Sequence, residues 1–353
     1  MDRFKSGVLV GKFLPPTIGH GTMIRFGAAL CDELTVVVDN VPWQDVPPAT
    51  RAAWLRAHFA GTGNVRVVAL PRPTPQAPDE HPDFWRIWRD LMLGASEGPP
   101  EVVIASEAYG VPLAEALGCR FMPHDPGRDG VPISATGVRD DLWARWWQVL
   151  PEARAHYLRR VALEGPESTG KSTLALHLAR RGGFTYAPEW AKGYIAHTLR
   201  LGRDFVESDL LDIARGQTAS ERALERSADR AIIYDSTLLT TMVWGMFLYG
   251  RVDPRIERMF EAEEARAPRT RWILTPETPF VADVHRNVAE DPERPETRER
   301  FLSLMLGECN RRGLPYRLLT GGHAAKREQA EAWADEIGPP AMPAPEPASV
   351  PRP

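Results

Sequence analysis

Eight consecutive residues in the second half of the chain, 165–172 (GPESTGKS), restrict the local fold more than any other stretch. They fit the pattern G-x-x-x-x-G-K-[ST], in which glycines let the backbone wrap closely around phosphates with successive N–H groups pointing inward. The run RRVAL (159–163) predicts a strand ahead of this loop, and TLALHLARR (173–181) predicts a helix behind it. The order strand, loop, helix therefore predicts an α/β unit that binds a nucleoside triphosphate.

The side chains of this loop divide the work on the nucleotide. Lys171 is expected to reach the β- and γ-phosphates, and Ser172 to ligate Mg²⁺. The residues predicted to contact ATP here are Gly165, Glu167, Ser168, Thr169, Gly170, Lys171, Ser172 and Thr173. The alternative, a glycine turn before an ordinary helix, is disfavoured by the strand that precedes the loop.

The bulk composition indicates a globular chain of about two domains. It has 353 residues, 43% of them hydrophobic and 25% charged. A net charge of −4 offers no basic field for nucleic acid. The three cysteines are far apart and in no metal-ligand spacing, which favours a reducing compartment. With neither a signal-peptide pattern nor an apolar run near ~20 residues, we expect a cytoplasmic protein with no membrane or nucleic-acid partner.

Predicted strands alternate with predicted helices through both halves of the chain, which is typical of α/β folds with mostly parallel sheets. We expect one domain over 1–150 and a second over 151–337. Residues 338–353 contain seven prolines in sixteen positions and predict a disordered tail.

Two motifs of the first half suggest a second phosphate site. Thr17-x-Gly19-His20 follows the predicted strand 6–10, and ISATGVR (133–139) places Ser134 as an N-cap one turn before Arg139. A capped helix start with an arginine can hold phosphates, and an imidazole can stabilise charge on a phosphoryl group in transfer. Taken singly, each motif has a plain alternative, a loop histidine or an ordinary helix cap.

Two acids of the second half are candidates for catalysis. The apolar run 231–235 (AIIYD) ends in Asp235, and Glu189 follows the predicted strand 184–188. Ligands collect at the carboxyl ends of parallel strands, so we expect Asp235 to orient a substrate hydroxyl and share in the Mg²⁺ site. Glu189 is the alternative base and, with Trp190, a contact for the substrate sugar. An aspartate that only caps the next turn is the alternative for Asp235.

Residues 279–300 are dense in arginine and acid and predict either a mobile lid, with Asp283 and Arg286, or a solvated charged helix.

The two motifs of the first half together resemble the nucleotidyltransferase superfamily whose hallmark is [HT]-x-G-H. The resemblance implies a Rossmann-like fold that holds ATP without a glycine-rich phosphate loop, and attack of a substrate phosphate on the α-phosphorus of ATP. It implies that His20 and Thr17 contact the phosphates, that Lys12 positions them, and that Ser134, Thr136 and Arg139 bind the β,γ end. Phe13 and Gly19 complete the predicted site.

The order of the two halves resembles the bifunctional nicotinamide-mononucleotide adenylyltransferase/ribosylnicotinamide kinase family. The resemblance covers roughly residues 7–337 and includes the G-K-F start, Arg51-x-x-Trp54-Leu55, Asp125-Pro126-x-Arg128 and Tyr234-Asp235-Ser236. It implies a Rossmann-like nucleotidyltransferase domain followed by a P-loop kinase domain. The kinase would convert nicotinamide riboside to nicotinamide mononucleotide (NMN), and the transferase would convert NMN to NAD, each with Mg²⁺ and ATP. The sequence leaves room for a homo-oligomer.

Three departures from the family pattern keep alternatives open. Thr17 stands where NMN adenylyltransferases usually have histidine, and threonine is common in the phosphopantetheine branch. Lys192 ends the run Glu-Trp-Ala-Lys where the family usually has Glu-Tyr-Ala-Arg. Only six residues precede Gly7, so we expect no repressor domain of the kind some relatives carry there. A phosphopantetheine-like acceptor, a deoxynucleoside substrate, or a nucleotide sensor with little turnover are the alternative functions.

Overall fold

The computed structural model describes residues 3–41, 43, 46–280 and 295–335, and it divides the chain into two compact units that meet between Arg154 and Ala155. Each unit is built on a five-stranded parallel sheet. The predicted α/β class is confirmed. The predicted lid residues Asp283 and Arg286, and the proline-rich tail 338–353, lie outside the described residues.

The sheet of the first unit has the order β3-β2-β1-β4-β5, with β1 in the middle. Its strands are β1 (Phe4–Gly11), β2 (Cys31–Val38), β3 (Val65–Ala69), β4 (Val102–Ala105) and β5 (Arg120–Pro123). Val8, Leu9 and Val10 of β1 are all buried. An uninterrupted apolar run of this kind suits a central parallel strand that is covered on both faces.

Helices cover the two faces of this sheet. They are α1 (Ile18–Leu30), α2 (Pro48–His58), α3 (Phe84–Ala95) and α4 (Gly110–Leu117). Two short helices, α5 (Ala135–Asp140) and α6 (Pro151–Tyr157), follow β5 in the chain. Leu9 belongs to the apolar cluster with α1 and α2, whereas Val8 and Val10 belong to the cluster with α3 and α4. Successive residues of a strand face opposite sides, so one strand supplies both cores. The helix that Ser134 caps ends at Asp140, so Arg139 lies in its last turn.

The sheet of the second unit has the order β10-β9-β6-β8-β7, again with the first strand of the unit in the middle. Its strands are β6 (Arg159–Glu164), β7 (Thr185–Ala187), β8 (Ala231–Asp235), β9 (Thr270–Leu274) and β10 (Tyr316–Leu319). Leu163 pairs with Asp235, so β6 and β8 end side by side. This register brings the phosphate loop that follows β6 next to the acid that ends β8.

Seven helices of the described residues surround this second sheet. They are α7 (Lys171–Gly182), α8 (Trp190–Arg200), α9 (Asp209–Ser227), α10 (Leu238–Tyr249), α11 (Pro254–Arg266), α12 (Pro295–Arg312) and α13 (His323–Asp335). The apolar helix α10 packs in the core. None of the described helices combines the length and the apolar character needed to span a membrane.

Two candidate nucleotide sites

The start of α1 holds His20 in one orientation. Thr17 is the N-cap residue, and its hydroxyl accepts from the His20 N–H at 3.3 Å. The Thr17 N–H in turn donates to His20 Nδ1 at 3.0 Å. A backbone N–H can only donate, so Nδ1 must accept, and the proton of the neutral ring resides on Nε2. The cap therefore orients the imidazole so that its Nε2–H group, on the opposite side of the ring, is the available donor.

His20 is uncharged at neutral pH. Burial lowers the pKa of His20 to about 4, and the Arg128 and Arg139 guanidinium groups add to this effect by repelling a second positive charge. The ring of Phe13 meets the imidazole edge-on, with the ring centroids 5.0 Å apart. His20 is therefore a neutral hydrogen-bond donor in the field of two nearby cations.

The late motif of the first unit is tied to the loop after β1. Ser134 caps α5, and its hydroxyl accepts from the Gly137 N–H at 3.3 Å. Arg139 donates to the Thr136 hydroxyl at 3.0 Å and to the Leu14 carbonyl at 2.8 Å. Because Arg139 spans 125 positions of sequence to reach Leu14, the two predicted motifs form one surface.

Every residue predicted for the transferase site lies around one cleft of the first unit. These residues are Lys12, Phe13, Thr17, Gly19, His20, Ser134, Thr136 and Arg139. Arg128 also lines the cleft. Its loop is shaped by Asp125, whose carboxylate accepts from the N–H groups of residues 129, 130 and 131. The same hydrogen bonds lower the pKa of Asp125, those from Val131 and Gly130 first.

Sequence reasoning missed part of this cleft wall, notably Asp39, Gln76, Trp85 and Trp88. They follow β2 and β3 or belong to α3, and no local motif marks them. Strand order was the available signal, because β2 and β3 end on the same side of the sheet as β1.

The phosphate loop of the second unit depends on its two glycines. Gly165 has φ +131°, and a Cβ there would lie 2.5 Å from the Leu274 carbonyl oxygen. Gly170 has φ +92°, and a Cβ there would lie 2.8 Å from His323 Nδ1. Any other residue would combine a strained backbone with a steric overlap, so the glycine pattern has a direct structural cause.

Lys171 points back over its own loop. Its side chain is buried, and Nζ donates to the Pro166 carbonyl at 2.7 Å. The Thr169 hydroxyl donates to the same carbonyl at 3.0 Å. The ammonium group therefore lies inside the curve of residues 166–171, where a phosphate chain can exchange places with the carbonyl.

Arg298 belongs to the stretch 279–300, for which the sequence predicts either a lid or a charged helix, and it braces the phosphate loop. It is buried in α12 and donates to the Glu167 carbonyl at 3.1 Å and to the Thr278 carbonyl at 2.8 Å. The Thr278 hydroxyl donates to the Ser168 carbonyl at 2.8 Å. The described end of that stretch, residues 295–300, is therefore helical, and through Arg298 it supports the phosphate loop.

The two candidate acids meet around one ammonium group. Lys192 Nζ donates to Ser172 Oγ at 2.5 Å and lies 3.4 Å from Glu189 Oε2 and 3.8 Å from Asp235 Oδ2. The Tyr186 hydroxyl donates to Asp235 Oδ2 at 3.2 Å. Asp235 is 1% exposed, yet no group of the described residues hydrogen-bonds to its Oδ1. A buried carboxylate oxygen without a protein partner fits a site completed by a substrate or a cation.

Ser172 and Asp235 are the residues present that could hold Mg²⁺. The described ranges contain no cluster of three or more histidine, cysteine or acidic side chains arranged for a metal. That is compatible with Mg²⁺, which is commonly held by one or two protein oxygens plus phosphates and water.

A second cleft opens beside these acids. Among its lining residues are Glu167, Glu189, Lys192, Gln217, Thr240 and the apolar Phe205, Leu210, Ile213, Trp244 and Leu248. Trp190, predicted to contact the substrate, is not brought to this wall. Its indole packs against Gly216 of α9, where a Cβ would lie 2.5 Å from the ring, and against Tyr194. The close helix approach at Gly216 turns the indole away, and Trp244 supplies the aromatic surface.

Glu164 is a buried acid that directly precedes the phosphate loop. It is fully buried at the end of β6 and accepts from the Thr237 hydroxyl at 2.5 Å and the Thr240 hydroxyl at 2.6 Å. Burial raises the pKa of Glu164, while these hydrogen bonds oppose the rise. The carboxyl group thus links the strand before the phosphate loop to the helix that follows Asp235.

Comparison with known proteins covers both units. A family model described as an AAA domain matches residues 160–327. The chain is 28% identical over 324 residues to the "Trifunctional NAD biosynthesis/regulator protein NadR" of Escherichia coli (strain K12), covering 86% of this chain and 77% of the relative. The protein of the same name from Salmonella typhimurium is 27% identical over the same length.

Two solved structures have the same fold. One, the NadR protein in complex with NR, matches with a TM-score of 0.73 at 20% identity over 99% of this chain and 98% of that one. The other, the NadR protein in complex with NAD and AMP-PNP, matches with a TM-score of 0.69 at 20% identity over 95% and 97%. The resemblance inferred from the motifs is confirmed, and the chain is an enzyme of the kinase and nucleotidyltransferase classes.

Proposed function

We propose that the chain makes NAD from nicotinamide riboside in two ATP-dependent steps. The second unit phosphorylates the 5′-hydroxyl of the riboside and gives NMN. The first unit transfers the adenylyl group of ATP to NMN and releases pyrophosphate. The observation that supports this most is the sequence similarity to proteins of NAD biosynthesis, which extends over 86% of the chain and so reaches into both units.

In the kinase step, a neutral hydroxyl must become a nucleophile. Asp235 orients that hydroxyl and accepts its proton through Oδ1, which has no donor among the described residues, and Glu189 contacts the ribose. Lys171 and the backbone of residues 165–172 hold the phosphates. Mg²⁺, when held by Ser172 and Asp235, would supply further neutralisation of the phosphate charge.

Lys192 balances the charge of this acidic site. Its ammonium group lies within 4 Å of both carboxylates and of Ser172. Lysine is a flexible point charge, whereas arginine at this position would form a planar bidentate contact. We infer that the Lys192 ammonium group moves from Ser172 to the transferred phosphoryl group when ATP binds. Before ATP binds, its positive charge offsets the repulsion between the Glu189 and Asp235 carboxylates.

In the transferase step, the nucleophile is already a phosphate anion, so no general base is needed. His20 donates from Nε2 to the phosphates, and Arg128, Arg139 and Lys12 neutralise the charge that pyrophosphate carries away. The capping contacts of Thr17 fix the imidazole before ATP arrives, so no reorientation is required during the reaction.

The proposal is tested with the purified chain, nicotinamide riboside and Mg-ATP, with NMN and NAD separated by chromatography. We expect NMN to appear first and NAD to follow, and NMN supplied alone to give NAD. Deoxyadenosine and 4′-phosphopantetheine replace the riboside and NMN in parallel reactions. Preferred turnover of either, or binding of ATP without product, would contradict the proposal.

A further inference from the structure

Asp39 is a buried acid in the wall of the transferase cleft. It follows β2, and its N–H donates to the Gly11 carbonyl at 3.0 Å. Asp39 lines the cleft but is only 3% exposed. A carboxylate in such a place needs hydrogen-bond donors. The mechanism proposed above gives it no task.

Two side chains of the loop after β3 supply those donors. The Thr74 hydroxyl donates to Asp39 Oδ1 at 2.5 Å, and the Gln76 amide nitrogen donates to Oδ2 at 2.9 Å. The loop itself is fixed, because the Thr74 N–H donates to the Asn40 carbonyl at 3.1 Å and the Trp88 indole donates to the Pro75 carbonyl at 3.0 Å. The acid and the loop therefore hold each other in place.

This arrangement settles which end of the Gln76 amide faces the acid. The amide nitrogen also lies 3.1 Å from the Thr74 carbonyl oxygen. The nitrogen also lies 2.9 Å from the Thr74 hydroxyl oxygen, whose own proton is donated to Asp39. All three neighbours of the nitrogen therefore act as acceptors, and its two protons point towards them. The amide oxygen then takes the remaining direction, and no donor of the described residues hydrogen-bonds to it. Gln76 thus carries a fixed acceptor.

We propose that Gln76, oriented by Asp39, selects a carboxamide over a carboxylate on the pyridine ring of the acceptor mononucleotide. A carboxamide donates its N–H to the Gln76 oxygen, whereas a carboxylate opposes it with an acceptor and brings a negative charge towards Asp39. The aromatic residues Phe84, Trp85 and Trp88 line the same cleft and offer apolar surface for the ring. The inference rests on the proposed function, since it assumes that NMN is the acceptor.

The test compares kcat/KM for NMN and for nicotinic acid mononucleotide, each with Mg-ATP and the full chain. A site built around one hydrogen bond can reject the wrong group strongly, so we expect a preference for NMN of about 100-fold or more. Asp39→Asn permits the Gln76 amide to turn over, and Gln76→Ala removes the acceptor. Each should reduce the preference at least about tenfold, from loss of the amide contact or of the charge.

Glu80→Gln is the matched control. Glu80 is exposed, and its carboxylate accepts from the Gln76 backbone N–H at 2.7 Å. This variant therefore removes a charge from the same loop but leaves the side-chain amide of Gln76 and its contacts with Asp39 in place. It should keep the wild-type preference. Riboside phosphorylation by the same preparations shows that each variant is folded, and the partly exposed Gln76→Ala is informative even if Asp39→Asn fails to fold.

The outcomes separate the inference from the proposed function. If the wild-type chain converts both mononucleotides equally well, or if both site variants keep its preference, Gln76 and Asp39 are not the selecting pair although the transferase activity stands. If neither mononucleotide yields a dinucleotide, the transferase assignment itself fails and the inference with it.

Discussion

The two phosphate sites lie at equivalent places, after the central strand of a five-stranded parallel sheet, but they are built from different parts of the chain. The site after β6 is one continuous loop in which the backbone and Lys171 face the ligand. The site after β1 is assembled from side chains of three separate stretches, around residues 12–20, 125–128 and 134–139. The phosphate-binding groups of the first kind of site are neighbours in sequence, whereas those of the dispersed site are brought together only by the fold of the unit.

The two sites carry different charged groups, and the difference corresponds to the nucleophile of each proposed reaction. Around His20 the described ionisable partners are cations, Arg128 and Arg139. Beside the phosphate loop, Lys192 shares its position with two acids, Glu189 and Asp235. A phosphate acceptor attacks without losing a proton, but a hydroxyl needs a carboxylate. The nucleophile thus accounts for two acids beside the phosphate loop and for two cations beside His20.

The largest effect is expected at Asp235, the proposed general base, because the transferase mechanism has no such group. Asp235→Asn is nearly isosteric and should lower kcat for riboside phosphorylation by ~10²–10⁴-fold, as loss of a general base commonly does. Glu189→Gln should act mainly on KM for the riboside. Turnover at saturating riboside measures both, and the reverse pattern would exchange the two roles. Near-normal turnover in both variants would remove these acids from the mechanism.

A pair of substitutions tests whether the sites work independently. Lys171→Ala should lower riboside phosphorylation by ~10²–10³-fold and His20→Ala should lower NAD formation from NMN by a similar factor, the size expected for one preorganised charge-stabilising group. Each variant is the control for the other, because each should keep the activity of the second site. Loss of both activities from one substitution in a folded chain would contradict the two-site description.

A smaller effect is expected where a distant helix supports the phosphate loop. Arg298→Met leaves the Glu167 and Thr278 carbonyls without their charged donor, which costs roughly 1.5–3 kcal/mol per such hydrogen bond. We expect KM for ATP in the kinase reaction to rise about tenfold or more. Arg300→Met, an exposed change on the same helix, is the control. Equal KM values in the two variants would show that the brace does not matter for ATP binding.

The smallest effect is an absence of change with pH. Burial lowers the pKa of His20 from its ordinary range to about 4, so the ring is already neutral well below physiological pH. The kcat/KM of NAD formation should therefore show no step from this group between roughly pH 6 and pH 8. A decrease as pH rises through about 6.5, missing in His20→Gln, would mean that the ring acts as a cation.

The same low pKa has a consequence for stability. Unfolded chains bind a proton on histidine below about pH 6.5, whereas folded His20 does not until about pH 4. Folding stability is thus lost as pH falls through that interval. Unfolding by denaturant at several pH values should show a weaker loss in His20→Gln.

The contiguous features were predictable from sequence. The phosphate loop, the helix that follows it and the strand that ends in Asp235 were predicted at or near their observed bounds, because each is encoded by neighbouring residues. The glycines of the loop are required by backbone conformation and by contacts with Leu274 and His323, so their pattern is informative on its own.

Contacts between distant parts of the chain were not predictable in the same way. Gln76 and Asp39 are 37 positions apart, and they meet because β2 and β3 are neighbours in the sheet. The position of Lys192 between Ser172 and Asp235 depends likewise on β7 lying beside β8. The direction of the Trp190 indole depends on the packing of α8 against Gly216 of α9, which a strand-end motif does not contain.

The buried Glu164 limits how this chain can change over evolutionary time. Its two oxygens are each used by a threonine, Thr237 and Thr240. Losing one partner leaves a buried polar group unpaired, at a cost of about 1–3 kcal/mol, whereas replacing all partners by apolar groups of the same shape can be nearly neutral. The three positions should therefore covary, and a lineage that abandons the carboxylate must pass through less stable single mutants or change several codons together.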